Sequence, residues 1–67
     1  MVRTIKVREL NTSGEEVKQV GLQEATLMLK DAIARGWIVV DAKRKELIWE
    51  IGENVEEIII MGILGGG

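Results

Sequence analysis

Polar and apolar residues alternate with a period of two along Thr4-Ile5-Lys6-Val7-Arg8, the mark of a strand that buries one face. Asn11-Thr12-Ser13-Gly14 then brings four turn-forming residues together, and Gly14 is free to take positive φ. Residues 15–20 carry only Val17 and Val20 as apolar anchors. Joined to the first strand by a short polar turn, they predict the second arm of a hairpin. The period lengthens over residues 22–35. Stepping about 100° per residue from Leu22 gathers Ala25, Met28, Leu29, Ala32 and Ile33 into one stripe, with Gln23, Glu24, Lys30, Asp31 and Arg35 elsewhere. That is an amphipathic helix. Glu24 in its first turn and Arg35 in its last suit the helix dipole, and Gly36 stands where a left-handed cap is wanted. Leu27 falls off the stripe, which points to a second contact, with another copy or with a partner.

Trp37-Ile38-Val39-Val40 is a short apolar run rich in β-branched residues and predicts a strand. Residues 41–45 form a charged turn, and residues 46–51 are expected to return as the second strand of another hairpin. Gly52-Glu53-Asn54 makes the next turn, and residues 55–64 read as the last strand. Its Ile58-Ile59-Ile60-Met61 run lacks alternation, so its side chains point to both faces and the strand is expected near the centre of a sheet.

The resulting order, ββαβββ, is the connectivity of a β-grasp (ubiquitin-like) α+β fold. First and last strands are expected side by side and parallel in a mixed sheet, with the single helix on one face. Residues 1–64 would form one domain and residues 65–67 a flexible glycine tail. The sheet face without the helix would keep apolar residues of the last strand, with Trp37 or Trp49, as an exposed patch. Such patches mark contact surfaces, so a homo-oligomer contact or a partner site is expected there, with Trp49 and Leu64 as candidate partner-binding residues.

Composition narrows the chemistry. The chain has 67 residues with 11 acidic and 9 basic side chains, and no His, Cys or Pro. Without Cys and His there is no disulfide framework and none of the usual zinc ligands, nor a thiol or imidazole for catalysis. No metal site and no catalytic residue is predicted. A net charge of −2 offers no electrostatic footprint for nucleic acid. Apolar residues make up 46% of the chain, which excludes disorder, yet the longest apolar run falls far below the ~20 residues that span a bilayer. Val2 to Leu10 is broken by Arg3, Lys6, Arg8 and Glu9, unlike a signal peptide. A soluble, cytoplasmic, membrane-independent protein is expected.

The end of the chain carries the most specific signal. Gly52-Glu53-Asn54-Val55-Glu56-Glu57-Ile58-Ile59-Ile60-Met61-Gly62-Ile63-Leu64-Gly65-Gly66-Gly67 resembles the end of the small sulfur-carrier proteins of the ThiS and MoaD type. There, a turn of Gly-Asp or Gly-Glu character leads into an apolar last strand and the chain stops at Gly-Gly. The resemblance implies a non-catalytic carrier. An ATP-dependent activating enzyme would adenylate the terminal carboxylate, sulfur would be added, and the thiocarboxylate would be delivered to a sulfur-accepting biosynthetic enzyme. Gly67 would supply the acyl carbon, and Gly65 and Gly66 the part that threads the activating enzyme. The carrier itself would bind no cofactor; ATP belongs to its partner. Three terminal glycines and Gly62 inside the last strand depart from the family pattern, as does the tight hairpin predicted over residues 37–51.

Glycine suits such a tail, because only a residue without Cβ adopts extended and positive-φ conformations equally freely in a narrow channel. A second function class stays open beside it: a small interaction or regulatory module that uses its apolar sheet face, with an idle glycine tail. For Trp49 a place in the hairpin core is the competing reading, and for Glu53, Glu56, Glu57 and the Lys43-Arg44-Lys45 run a solvated surface.

Overall fold

A computed structural model describes residues 3–11 and 14–62. The chain starts with a hairpin of β1 (Thr4–Asn11) and β2 (Gly14–Gly21), paired antiparallel along their whole length from Thr4↔Gly21 to Asn11↔Gly14. Gly14 takes φ +129°, a conformation that L side chains rarely adopt, so the turn needs glycine there. The second arm is weakly patterned in sequence but is a full strand. Its pairing with β1 substitutes for the apolar periodicity that it lacks.

Helix α1 (Leu22–Ala34) follows without a linker. Gly21 occupies the N-cap position and supplies no side-chain cap; instead the Leu22 N–H donates to the Arg3 carbonyl at 3.0 Å, tying the helix start to the sheet. The Thr26 hydroxyl donates back to the Leu22 carbonyl. At the other end Gly36 N–H donates to Ile33 O and Trp37 N–H to Ala32 O, at 3.0 and 2.9 Å. This is the Schellman pattern, with Gly36 at φ +82° in the left-handed region. Arg35 forms the C-cap rather than the last helical turn and pairs with Asp31 at 3.1 Å, its guanidinium 5.4 Å from the centre of the Trp37 ring.

Three more strands complete one sheet: β3 (Ile38–Asp41), β4 (Glu46–Leu47) and β5 (Glu57–Met61). The strand order is β2-β1-β5-β3-β4. β5 runs parallel to β1, from Lys6↔Glu57 to Leu10↔Met61, and antiparallel to β3. The fold is α+β, with one helix on a mixed five-stranded sheet. The expected parallel neighbours at the centre of the sheet are present. The last strand is shorter than expected at its start, Val55 and Glu56 lying outside β5. Its expected continuation through Ile63 and Leu64, and the glycines 65–67, lie outside the described residues.

The return strand expected over residues 46–51 is corrected. Only Glu46 and Leu47 pair with β3, and Ile48 adds one hydrogen bond, to Val39 O at 3.0 Å. Topology explains the early stop. β4 runs antiparallel to β3, so each further paired residue would carry the chain away from Asp41, beside which β5 must begin. The chain therefore leaves the edge, and Ile48, Ile51 and Val55 pack against the core on the way back. Arg3 holds this segment by donating to the carbonyls of Gly52 and Val55.

The core lies between α1 and one sheet face. Ile5, Val7, Ala25, Leu29, Ala32, Val39, Val55, Ile58 and Ile60 are buried in one cluster. The helix side is the predicted stripe, with small Ala25 and Ala32 allowing close approach and Leu29 filling the space between. Leu27 is 63% exposed, as its position off the stripe requires. Leu29→Ala should cost about 2–4 kcal/mol by opening a cavity at a site with no solvent access. Gly36→Ala should cost about 1 kcal/mol through backbone strain alone, since nothing lies within 4 Å of an added Cβ. Urea unfolding of the two variants checks both values.

Candidate functional site

Strand alternation sends Ile58 and Ile60 into the core and Ile59 and Met61 to the opposite face, and the ladder register shows what stands beside them. One row across the uncovered face runs Val17, Arg8, Ile59, Val40, Leu47; the next runs Glu15, Leu10, Met61, Ile38. Leu10, Met61, Ile38, Ile59, Val40 and Leu47 are thus neighbours in two adjacent rows. Among the described residues the helix lies on the other face, and all of them but Leu47 are half-buried. Leu47, at the sheet edge, is 60% exposed.

Arg8 sits where this apolar strip meets β2. Its guanidinium lies 3.3 Å from the Glu57 carboxylate on β5 and 3.6 Å from that of Glu15 on β2. The cation therefore links three strands, while its Nε makes no hydrogen bond. Pairs this exposed contribute little to stability. Their effect is to give the face a charged border on one side and an apolar field on the other.

Trp49 follows Leu47 by two residues, on the segment that leaves the sheet, and is 71% exposed. The hairpin-core reading of Trp49 fails because the hairpin ends at Leu47. Trp37 behaves oppositely. It is partly buried against the core, and its indole lies beside Gly62, where an added Cβ would touch it at 3.6 Å. The structure thus separates the two tryptophans, one packed and one presented to solvent. Leu64, Gly65, Gly66 and Gly67 lie outside the described residues.

The remaining clusters are structural or solvated. Asp41 is 4% exposed, and its carboxylate accepts from the backbone N–H of Lys43 at 2.9 Å and of Arg44 at 3.3 Å. It organises the tip that carries the Lys43-Arg44-Lys45 run, where Lys45 takes φ +58° and all three side chains are exposed. A shallow polar hollow beside it is lined by Asp41, Lys43, Arg44, Glu53, Asn54 and Glu56, charges of both signs that select for no single ligand charge. Glu53 and Glu56 are exposed, and Glu57 is half-buried against Arg8. No group of three or more acidic side chains among the described residues is arranged to hold a metal ion, and no helix there is long and apolar enough to cross a membrane.

Sequence reasoning reached the last strand and Trp49 but missed Arg8, Leu10, Ile38 and Val40 as members of one surface. Alternation in β1 puts Lys6, Arg8 and Leu10 on a common face; only the register shows that Ile59, Met61 and β3 continue it. Comparison with protein-family models, curated proteins and solved structures finds no match.

Asp41→Ala should destabilise the protein by about 1–2 kcal/mol by stripping two backbone donors of their acceptor. Asp41→Asn keeps a side-chain oxygen in that place and should cost less. Thermal melts of the two variants distinguish this turn-forming role from a role of the carboxylate's charge, which both would abolish.

Proposed function

We propose that this chain is a β-grasp sulfur carrier of the ThiS and MoaD type, a protein substrate rather than an enzyme. The observation that carries the reading is the place of β5. An apolar last strand lies parallel to β1 in the interior of the sheet, and the sequence that follows it runs through Leu64 to Gly65-Gly66-Gly67. A strand anchored on both sides gives a following segment a fixed point of departure, as delivery into a partner's active site requires.

In this reading the Gly67 carboxylate attacks the α-phosphate of ATP in the activating enzyme, and pyrophosphate leaves. A sulfur nucleophile then displaces AMP from the acyl-adenylate to give the thiocarboxylate, which a biosynthetic enzyme consumes. The carrier supplies no side chain to these steps and binds no cofactor. The setting is the cytoplasm, where ATP and the activating enzyme are at hand. The apolar strip of Leu10, Ile38, Val40, Ile59 and Met61 would be the docking surface, with Trp49 and Leu64 as further partner-binding residues and the exposed Trp49 indole as the natural anchor.

A second reading rests on that surface alone: an interaction module that docks a partner through the same strip and makes no chemical use of its glycines. The presentation of Trp49 to solvent favours it as much as it favours the carrier.

The readings separate on the tail. The intact mass of the protein from its native source should place Gly67 at the terminus. ATP–pyrophosphate exchange with the activating enzyme of the same organism should proceed with the full chain. It should be lost on deleting Gly66 and Gly67 or on adding one residue after Gly67, with the melting temperature unchanged. Mass analysis after sulfur transfer should show one terminal oxygen replaced by sulfur. Equal exchange with full-length and truncated chains contradicts the carrier and leaves the module.

A further inference from the structure

Among the described residues, β2 forms an outer edge of the sheet with no strand beyond it. β2 is eight residues long and ends the sheet on one side, with residues 14–19 all exposed. The hydrogen bonds Lys6 N–H to Glu56 O and Gly62 N–H to Leu10 O turn the even-numbered groups of β1 towards β5. The odd-numbered ones therefore face β2, and the register Ile5↔Val20, Val7↔Lys18, Glu9↔Glu16 engages the even-numbered residues of β2. The backbone N–H and C=O groups of Glu15, Val17 and Gln19 consequently point outward from the free edge. Exposed rows of this kind are templates for another strand.

We propose that this edge pairs antiparallel with β2 of a second copy, with Val17 on the two-fold axis. The argument is one of parity and charge. Outward groups sit only on odd-numbered residues, so a symmetric antiparallel pair must match odd with odd and even with even. Three registers centred on residues 16–18 satisfy this; a fourth, centred on Gln19, sets Lys18 against Val20 and pairs no opposite charges. Glu16 facing Glu16 and Lys18 facing Lys18 are two of them, and each sets like charges directly opposite, which is unfavourable. In the third, Val17 faces Val17, Glu16 of each copy faces Lys18 of the other, and Glu15 faces Gln19.

The third register joins complementary charges twice and buries the exposed Val17 against its own copy, with about six inter-chain backbone hydrogen bonds. Glu16 and Lys18 already lie 3.6 Å apart on one face of β2, so in the dimer they form a closed square of alternating sign. The same two charges that repel an arbitrary strand select this one. The dimer continues the sheet across two copies and leaves the strip around Ile59 free, so it stands independently of the proposed function. Edge pairing buries less area than a standard interface, so the association is weak and reversible.

Sedimentation of the full chain from about 20 μM to about 1 mM tests it. The wild type should move reversibly from monomer to dimer. Val17→Pro should be monomeric and folded, because that N–H is not used in the ladder with β1 and proline is tolerated at such edge positions. Glu16→Lys and Lys18→Glu should each weaken association about tenfold or more. An equal mixture of those two variants should recover it, because each altered copy then meets its complement; this arm stands even if the proline variant fails to fold. A wild type that stays monomeric at the highest concentration overturns the proposal. So does a dimer that persists in a folded Val17→Pro variant, or a mixture that associates no better than its components.

Discussion

Everything in this fold depends on the parallel pairing of β1 with β5. Register partners 51 positions apart stand side by side, and that contact creates the face on which α1 rests. Val7 and Ile58 are register partners with no solvent exposure, and Leu29 covers the same layer from the helix side. The entropic cost of closing so long a loop is met by non-local burial. The local devices all serve to deliver segments to this pair: Gly14 turns β2 back, Gly36 stops the helix, and Asp41 shapes the tip between β3 and β4. Arg3 closes the circuit by holding the chain just before β5.

Much of this was legible in the sequence where periodicity and punctuation agree. The helix stripe from Leu22 to Ile33, the left-handed cap at Gly36 and the turn at Gly14 are read from spacing, and they stand as expected. The central place of the last strand followed from the lack of alternation at Ile58-Ile59-Ile60-Met61, and its pairing with residues 4–8 from the element order. The early end of β4 was not legible, because Leu47-Ile48-Trp49 has good strand propensity. What limits β4 is where β5 has to start, a constraint that exists only in three dimensions. The exposure of Trp49 follows from that limit, and the role of Arg8 between Glu15 and Glu57 depends on register in the same way.

A sheet with one helix has two unequal faces, and the chain assigns them different work. One face makes the core. The other carries six apolar side chains, five half-buried and Leu47 exposed, a contiguous apolar surface of the kind that marks contact sites. Arg8, with Glu15 and Glu57, forms a charged border where the strip meets β2. In the carrier reading the chain contributes a reactive terminus and a surface that is recognised, while the chemistry belongs to its partners. A domain lacking His and Cys is well suited to such a division. The edge at β2 belongs to a third direction, in the plane of the sheet, so the proposed association there and the proposed docking on the face would not compete.

The central claim is that β1 and β5 are parallel neighbours in the register Lys6↔Glu57 to Leu10↔Met61. A nuclear Overhauser spectrum of the labelled protein tests it most directly. The account predicts inter-strand backbone contacts between these facing residues in the staggered pattern of a parallel pair, together with contacts from Leu29 methyls to Val7 and Ile58. An antiparallel pattern between the two segments, or their separation by another strand, would contradict it.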